Sequence, residues 1–483
     1  MKTPLRRVAI AVLIGFGLLL LNVNFVQVVQ AGNLKKDPHN GRVLIQQFAR
    51  PRGPIVVGGT TIARSRKTSD ALKYQRIYPE GPRYAAVTGF YSFVYGATAL
   101  ERTENALLSG TDDRLALKRL SDLVTGREPQ GGAVVLTLNP QAQRAAVEGL
   151  GNRPGAVVAL DPRSGAVLAM ASAPSYDPNP LATHNGESIT AAYQRLSKEP
   201  NNPLLNRATS DTYPPGSLFK VVTAAAALTS GRYTPETRVP APRSLDLPQT
   251  TKNLTNFGGE SCGDGKTDTL SHALQISCNT AFGGLGLALG ADAIARQAEV
   301  FGFGAGYRVP LTVVPSVFPS GLDAPQTAQS AIGQFSVRIT PTQAAMIAAA
   351  VANHGSLMRP YLVQQVKAPD LSTLEVAKPE ELSRAVSPAV ADQLTAMMRR
   401  VVDAGTGRAA QIPGVAVAGK TGTAQHAAGQ PPHAWFIGFA PADNPKVAVA
   451  VLVENGGGAG SDATGGAIAA PIARSVMQAV LGR

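Results

Sequence analysis

The longest uninterrupted apolar run of the chain lies at its N-terminus. Residues 8–21 are apolar or glycine throughout, and residues 22–31 continue the run with asparagine and glutamine among apolar residues. A membrane-spanning helix needs about 20 such residues, and the basic residues before the run predict a cytoplasmic N-terminus with the bulk of the chain outside. Residues 1–31 are therefore predicted to form a cytoplasmic tip and a single-pass signal anchor. The alternative is a cleaved signal peptide with a poor cleavage site at residues 28–31.

After about residue 150 the pattern changes to short apolar runs separated by turn residues. These runs predict five strands, at residues 155–160, 166–171, 415–425, 434–440 and 447–453. Alanine- and leucine-rich stretches between the second and third runs predict helices. A terminal helix with one apolar face is predicted by apolar residues at every fourth position, Ile468, Ile472, Val476 and Val480. Together these elements predict one sheet with helices packed on it, an α/β or α+β fold.

Residues 32–153 form a different region, with short elements separated by turn signals. They are predicted to be a separate N-terminal domain, and residues 154–483 a second, larger one. Basic side chains are frequent near the start of the first domain, at Lys35, Lys36, Arg42, Arg50 and Arg52. They predict adhesion to anionic headgroups or wall polymer, and the alternative is an ordinary solvated face.

The overall charge narrows the classes of partner. The 483 residues include 45 Lys+Arg against 32 Asp+Glu, a net charge of +13. Such a balance suits nucleic acid, an anionic membrane or an acidic polymer. One tryptophan and 5% aromatic residues argue against a surface that stacks single strands, and an extracytoplasmic location excludes DNA. No nucleic-acid partner is therefore expected.

Two cysteines are too few for a four-thiolate metal site or a disulfide-dense domain. The six histidines show no metal-ligand spacing, and no glycine-rich loop opens a helix in a nucleotide-binding context. No metal and no cofactor are expected. Outside the membrane Cys262 and Cys278, 16 positions apart, can form a disulfide. Two unpaired buried thiols are the alternative.

Three short motifs carry candidate chemistry. In the first, Tyr-Pro-Pro-Gly at residues 213–216 precedes Ser217 and Lys220, and an apolar helical run follows. Serine and lysine at i and i+3 share one helix face, which brings the amine within reach of the hydroxyl. A serine hydroxyl needs such a base, and a lysine can serve only if its pKa is lowered. Alone, the pattern also fits a capping serine beside a surface lysine.

The second and third motifs are also weak when taken singly. Ser277 and Asn279 flank Cys278 on a predicted turn, where a hydroxyl and an amide can face one cleft. Lys420, Thr421, Gly422 and Thr423 lie within the predicted strand 415–425. A glycine inside a strand usually marks a close approach of ligand or backbone, and a cation beside hydroxyls suits a carboxylate. The alternative is a turn with a bulge.

Together the motifs follow the order S-x-x-K, S-x-N, K-T-G of penicillin-binding proteins and class A β-lactamases. The chain resembles the class B penicillin-binding proteins over nearly its whole length, and most of all the actinobacterial penicillin-binding protein A group. Residues 52–55 resemble the RGxI element of that family. The chain departs from the family pattern at Phe335, Thr342 and His354, and these positions are assigned no role.

The resemblance implies a fold and an activity. The fold is a mostly antiparallel five-stranded sheet flanked by helices, with a helical subdomain, after a small non-catalytic α+β domain. The activity is cross-linking of peptidoglycan by a D,D-transpeptidase of the bacterial cell membrane, in growth or division. The implied partners are stem peptides ending in D-Ala-D-Ala, β-lactams, the membrane and other wall-synthesis proteins of the divisome or elongation machinery.

The resemblance also implies a role for each motif residue. Ser217 is the nucleophile, Lys220 its base and Ser277 the proton relay to the leaving group. Substrate binding falls to Asn279, which holds the stem amide, and to the strand residues that bind the terminal carboxylate, Lys420, Thr421, Gly422 and Thr423. Lys420 also keeps Lys220 neutral by like-charge proximity, and the backbone N–H groups of Ser217 and Thr423 form an oxyanion hole.

Two related classes of enzyme do not fit the sequence. Residues 32–153 are too few for a glycosyltransferase domain, and the chain lacks the Glu-x-x-x-Asn element with which class A β-lactamases hydrolyse their acyl-enzyme. A D,D-carboxypeptidase, a β-lactam sensor and a wall-synthesis scaffold remain as alternatives.

Overall fold

The structure is a computed structural model and describes residues 2–30, 45, 47–126, 128, 130–426, 429–458, 460 and 464–483. The basic residues Lys35, Lys36 and Arg42 and the cleavage-site residue Ala31 lie outside the described residues. The described α-helices are α1 (Lys2–Asn24), α2 (Gly81–Thr88), α3 (Ala99–Thr103), α4 (Asn105–Leu108), α5 (Ala116–Thr125), α6 (Pro140–Leu150), α7 (Gly186–Lys198), α8 (Lys220–Thr229), α9 (Leu270–Gln275), α10 (Asn279–Leu289), α11 (Ala291–Val300), α12 (Ala324–Ala331), α13 (Pro341–Ala352), α14 (Pro388–Asp403) and α15 (Gly465–Leu481).

The strands are β1 (Ile55–Val57), β2 (Thr60–Lys67), β3 (Tyr74–Ile77), β4 (Tyr91–Ser92), β5 (Gly96–Ala97), β6 (Ala133–Leu136), β7 (Gly155–Leu160), β8 (Val167–Ala173), β9 (Arg238–Pro240), β10 (Ser244–Asp246), β11 (Asn253–Thr255), β12 (Thr267–Thr269), β13 (Tyr307–Arg308), β14 (Thr312–Val313), β15 (Ser356–Met358), β16 (Val363–Lys367), β17 (Thr373–Val376), β18 (Glu381–Arg384), β19 (Ala418–Ala424), β20 (His433–Ala440) and β21 (Val447–Val453).

The larger region, residues 154–483, is built on a five-stranded sheet in the order β19-β20-β21-β7-β8, in which every neighbouring pair is antiparallel. The predicted five-stranded sheet is therefore confirmed, although the strand predicted at 415–425 is shorter at both ends. β19 lies at the edge, so one side of its backbone has no partner among the described strands.

Both faces of this sheet are covered. Val157 and Ala159 of β7 pack in the layer that contains α6 and α15, whereas Ala156 and Val158 pack in the layer that contains α13. Because both faces are buried, the strands read as continuous apolar runs rather than as an alternation. The predicted terminal helix is confirmed as α15. In the same region α8 packs against three further helices, α10, α11 and α14. These helices form the helical subdomain.

A second sheet has six strands in the order β17-β16-β6-β1-β2-β3. Its pairs are antiparallel except for β1 and β6, which run parallel. Four of its strands precede residue 153, but β16 and β17 come from the later part of the chain. The N-terminal region and the region after residue 153 therefore share one sheet and one continuous core. The sequence did not predict that β16 and β17 would pair with strands of the N-terminal region.

The N-terminal segment is helical. α1 continues as a π-helical turn, Phe25–Val29, and the span Pro4–Val29 has a mean hydropathy of 2.3 with none of its window buried against the protein. By length and composition this helix can cross a membrane.

Candidate active site

The first motif lies where a short turn meets a buried helix. Ser217 is in a 3-10 turn, Gly216–Leu218, and Lys220 begins α8. Gly216 has φ of +54°, and a Cβ there would lie 2.7 Å from the carbonyl oxygen of Thr423. Only glycine lets the turn pass this close to β19. The helical run predicted after this motif is confirmed as α8, and the 3-10 turn that contains Ser217 directly precedes it.

The second motif ends one helix and begins another. The chain leaves α9 through Ser277, whose φ of +64° is unusual for a residue other than glycine. The backbone N–H groups of Ser277 and Cys278 donate to Leu274 and Ala273, which closes the helix end with a left-handed residue. Asn279 then begins α10. The sharp reversal presents the side chains of Ser277 and Asn279 to Lys220.

A disulfide fixes this reversal to the preceding loop. Cys278 is bonded to Cys262, and both residues are buried. The bond therefore joins the middle of the second motif to a loop 16 residues earlier. The predicted pairing is present in the structure, and the alternative of two free thiols is not.

The third motif lies on the edge strand β19. A Cβ on Gly422 would lie 3.0 Å from the carbonyl oxygen of Pro215, so this glycine marks the predicted close approach, here of backbone. Lys420 is fully buried and Thr423 is half-buried. The hydroxyl of Thr421 is turned to Thr406, with 2.6 Å between the two oxygens. Its contact with Thr406 favours a supporting role for Thr421 over contact with a ligand.

The three motifs converge on the hydroxyl of Ser277. The Nζ atom of Lys420 donates to Ser277 Oγ at 2.9 Å, and the Nζ atom of Lys220 lies 3.3 Å from the same oxygen. Lys220 also donates to the backbone oxygen of Ser277 at 2.6 Å and to Asn279 Oδ1 at 2.7 Å. None of these bonds reaches Ser217, which is half-buried. Catalytic hydrogen bonds of this kind are often formed only when substrate is bound.

Both lysine side chains are fully buried. Burial lowers the pKa of Lys220 well below its ordinary value, and the charge of Lys420 lowers it further. Burial lowers the pKa of Lys420 to about 7. Neither shift is opposed by an acidic neighbour among the residues the structure describes. A neutral Lys220 has two N–H groups, which match the two short acceptors, and its lone pair then remains available as a base.

The sequence did not predict two residues that support the site. Asn256 is buried, and its Oδ1 accepts from the backbone N–H groups of Asn279 at 2.8 Å and Thr280 at 3.1 Å. It therefore caps α10 from a distant loop. Thr406 holds Thr421 as described above. Neither residue belongs to a motif, and only the folded chain brings them to the site.

Two family models match the chain. The penicillin binding protein transpeptidase domain matches residues 155–478, and the penicillin binding protein A dimerisation domain matches residues 52–134. Together they cover the five-stranded sheet and, except for the last two residues of β6, the six-stranded sheet.

Curated relatives are similar over the full length. The peptidoglycan D,D-transpeptidase PbpA of Mycolicibacterium smegmatis is 49% identical over 490 residues, which covers 100% of this chain and 99% of the relative. The protein of the same name from Mycobacterium tuberculosis is 48% identical over 494 residues, with the same coverage.

Solved structures agree in fold. The ceftriaxone acyl-enzyme complex of penicillin-binding protein A from M. tuberculosis superposes with a TM-score of 0.88 at 47% identity, covering 90% of this chain and 100% of that chain. The penicillin G acyl-enzyme complex of the same protein gives a TM-score of 0.85 at 48% identity, covering 89% and 100%.

Proposed function

This chain belongs to the penicillin-binding protein transpeptidase family, and on that premise we propose that Ser217, Lys220 and Ser277 cross-link peptidoglycan stem peptides through an acyl-enzyme on Ser217. The enzyme is a serine-type D,D-transpeptidase. The observation that carries the residue assignment is the position of one hydroxyl, Ser277 Oγ, between two buried amines that have no acidic partner among the described residues.

In the first half-reaction the oxygen of Ser217 attacks the carbonyl carbon between the two terminal D-alanines. Lys220 takes the hydroxyl proton, because its lowered pKa leaves it neutral. The C–N bond then breaks, and the proton passes from Lys220 through the hydroxyl of Ser277 to the leaving nitrogen. Free D-alanine departs, and the rest of the stem stays as an ester on Ser217.

In the second half-reaction an amine of a neighbouring stem attacks the ester. Its proton returns along the same path to the oxygen of Ser217, and an amide bond joins the two stems. A β-lactam enters by the first step alone, since opening its ring leaves the whole molecule attached to Ser217.

The remaining motif residues bind the donor stem. Lys420 and Thr423 face the terminal carboxylate, Gly422 admits the nucleophile turn, and Asn279 holds the stem amide. Thr421 supports the strand through Thr406. The backbone N–H groups of Ser217 and Thr423 stabilise the oxyanion. The assignment of these two N–H groups is supported by the close packing of Gly216 against Thr423, which lies on the edge strand β19.

The site is tested by intact-mass measurement after exposure to benzylpenicillin, followed by peptide mapping. We expect one adduct with the mass of the whole β-lactam, located on Ser217. Ser217→Ala should carry no adduct, whereas Ser69→Ala, which alters an exposed serine of the N-terminal region, should be labelled like the unaltered chain. An adduct that persists in Ser217→Ala would overturn the assignment.

A second assay tests the acceptor. A defined stem-peptide donor is incubated with and without an acceptor amine, and the products are identified by mass. A transpeptidase makes the cross-linked amide when the amine is present. Free D-alanine with a hydrolysed stem in both cases would instead identify a D,D-carboxypeptidase.

We also propose the placement of the protein and a role for its N-terminal region. α1 is a single-pass anchor, and residues 154–483 act outside the cytoplasm. Residues 32–153 form a non-catalytic pedestal that contacts other wall-synthesis proteins of the divisome or elongation machinery. Protease accessibility of residues 154–483 in intact and opened cells tests the orientation. Replacement of the pedestal by that of a distant family member, with co-purification as the readout, tests the contact.

A further inference from the structure

A buried ion pair lies next to the nucleophile turn and has no part in the steps above. The Nε atom of Arg207 donates to Glu454 Oε1 at 2.6 Å, and the hydroxyl of Tyr213 donates to the same oxygen at 2.8 Å. Only 4% of the Arg207 side chain and 16% of the Glu454 side chain are exposed, and Tyr213 is buried. We call Arg207, Tyr213 and Glu454 the Glu454 cluster.

Arg207 also makes hydrogen bonds to backbone oxygens of a nearby turn. The two terminal nitrogens of the Arg207 guanidinium each donate once, to the backbone oxygens of Asn201 at 2.5 Å and Asn202 at 3.3 Å. Those two residues have φ of +64° and +38°, so a left-handed turn presents both oxygens to the arginine. Burial is the largest cause that raises the pKa of Tyr213, and the Glu454 charge adds to it. The tyrosine therefore stays protonated and donates its hydrogen throughout the working range of pH.

From Tyr213 the restraint continues to Ser217. The backbone N–H and C=O of Tyr213 both pair with Ile339 at 2.9 Å, and the indole N–H of Trp435 donates to the oxygen of Pro214 at 3.1 Å. Pro214 and Pro215 have restricted φ and transmit a shift of Tyr213 along the chain instead of absorbing it. Gly216 then donates to the oxygen of Gly333 at 2.9 Å, one residue before the nucleophile.

Glu454 belongs to a different segment of the chain from the turn that carries Ser217. It follows β21 directly, and its backbone N–H donates to Pro154 at 2.7 Å. The next residue, Asn455, has φ of +50°, and its N–H donates to Nδ1 of His433 at 3.1 Å. The carboxylate therefore joins the segment after the central strand to the turn that carries Ser217.

We propose that Glu454, Arg207 and Tyr213 are positioning residues that hold the 213–217 turn so that Ser217 faces Lys220. The inference rests on the proposed function, because it assumes that Ser217 is the nucleophile. The cluster touches neither Lys220 nor Ser277 in the described residues. Its loss should therefore reduce the rate of the chemical step more than it weakens the initial binding of a β-lactam.

The test uses the full chain in detergent and the acylation kinetics of benzylpenicillin, resolved into the dissociation constant of the first complex and the acylation rate constant. Tyr213→Phe removes one oxygen and leaves the Arg207–Glu454 pair intact. We expect the acylation rate constant to fall about tenfold, with the dissociation constant changed less than about threefold. Glu454→Ala should lower the rate constant about a hundredfold. Glu454→Gln retains an acceptor for Tyr213 and should recover part of that loss.

The chain provides a matched control. In the pedestal the hydroxyl of Tyr78 donates to Glu101 Oε1 at 3.2 Å, and that carboxylate also pairs with buried arginines. Tyr78→Phe should lower the thermal midpoint and leave the acylation rate constant of the folded protein unchanged.

The outcomes separate cleanly. If Tyr213→Phe lowers only the thermal midpoint, as Tyr78→Phe does, the cluster is merely structural and the proposal is wrong. If Glu454→Ala does not fold, Tyr213→Phe still decides the question. If Ser217→Ala is still acylated, the proposed function has failed, and that result is distinct from any result on the cluster.

Discussion

Two regions of this protein bury a pair of cationic side chains, and they treat the charge in opposite ways. In the pedestal Arg52 and Arg76 share the carboxylate of Glu101, at 2.5 and 2.6 Å. Burial alone would raise the pKa of Glu101, but the two arginines hold it below its ordinary value. In the active site Lys220 and Lys420 share only the neutral hydroxyl of Ser277.

The difference shows what each cluster is suited to do. A guanidinium cannot give up its proton in a protein, so buried arginines require a carboxylate and form a fixed structural joint. A lysine can become neutral when burial is not compensated, and a neutral amine is a base. An acidic residue next to Lys220 would have kept it charged and unreactive. The absence of such a residue from the described site is thus part of its chemistry.

The largest expected effect comes from removing the base. Lys220→Met should lower the acylation rate by about a thousandfold or more, because the hydroxyl of Ser217 loses its proton acceptor. The same change removes an uncompensated buried amine, and we expect the thermal midpoint to stay the same or rise. Penicillin labelling measures the acylation rate, and thermal unfolding measures the midpoint. A large fall in stability would show that Lys220 is a structural group like the arginines.

In the pedestal a substitution in the buried cluster should lower stability and leave acylation unchanged, the reverse of the expectation for Lys220. Glu101→Gln leaves Arg52 and Arg76 buried without a counter-charge and should cost about 3–5 kcal/mol of unfolding free energy. Acylation measured per folded molecule should not change, since none of these residues reaches the catalytic motifs. Chemical denaturation gives the stability, and active-site titration gives the folded fraction. An acylation defect in the folded fraction would instead link the two clusters functionally.

A carboxylate like that of the pedestal can also be introduced next to Lys220. Asn279→Asp places an acid where the amide oxygen now lies 2.7 Å from the Nζ of Lys220. The new ion pair should raise the pKa of Lys220 and move the acid limb of the acylation profile upward by about 1–3 pH units. At neutral pH the rate should fall about ten- to a hundredfold and recover in part as pH rises. Asn279→Ala is the control, since it removes the amide without adding charge and should leave the acid limb in place.

Much of the fold and of the site could be predicted from the sequence alone. The strands of the catalytic sheet were predictable because β7, β20 and β21 are buried on both faces and read as plain apolar runs. The order and spacing of Ser217, Ser277 and Lys420 predicted the site, since each motif fits a local element. None of the three motifs is specific alone. Their order matched the pattern of a known family, and this match combined them into one predicted site.

The features that the sequence did not predict are contacts between distant segments. β16 and β17 complete the pedestal sheet although they lie between the second and the third motif in the chain, and no local pattern marks that pairing. Asn256, Thr406 and Glu454 are ordinary polar residues in turns until the fold brings them to Asn279, Thr421 and Arg207. Their roles depend on burial and on partners tens to hundreds of positions away, which periodicity does not record.

The smallest effect concerns the pH dependence of stability, and it isolates Lys420. The pKa of this lysine is about 7 in the folded protein and near 10.5 when unfolded, so between these values unfolding takes up one proton. The unfolding free energy should therefore rise by about 1.4 kcal/mol per pH unit from pH 7 towards pH 10 on account of this residue. Below pH 7 the lysine is protonated in both states and contributes no slope.

Lys420→Met should lose this slope. Denaturation of both proteins at pH 7, 8 and 9 measures the difference. In the variant Lys220 loses the smaller cause of its lowered pKa, the charge of Lys420, but keeps the larger one, its burial. The arginines of the pedestal stay charged at every pH and add nothing to the slope. Parallel stability curves for the two proteins would mean that Lys420 keeps its proton when buried, and the contrast between the two clusters would then be lost.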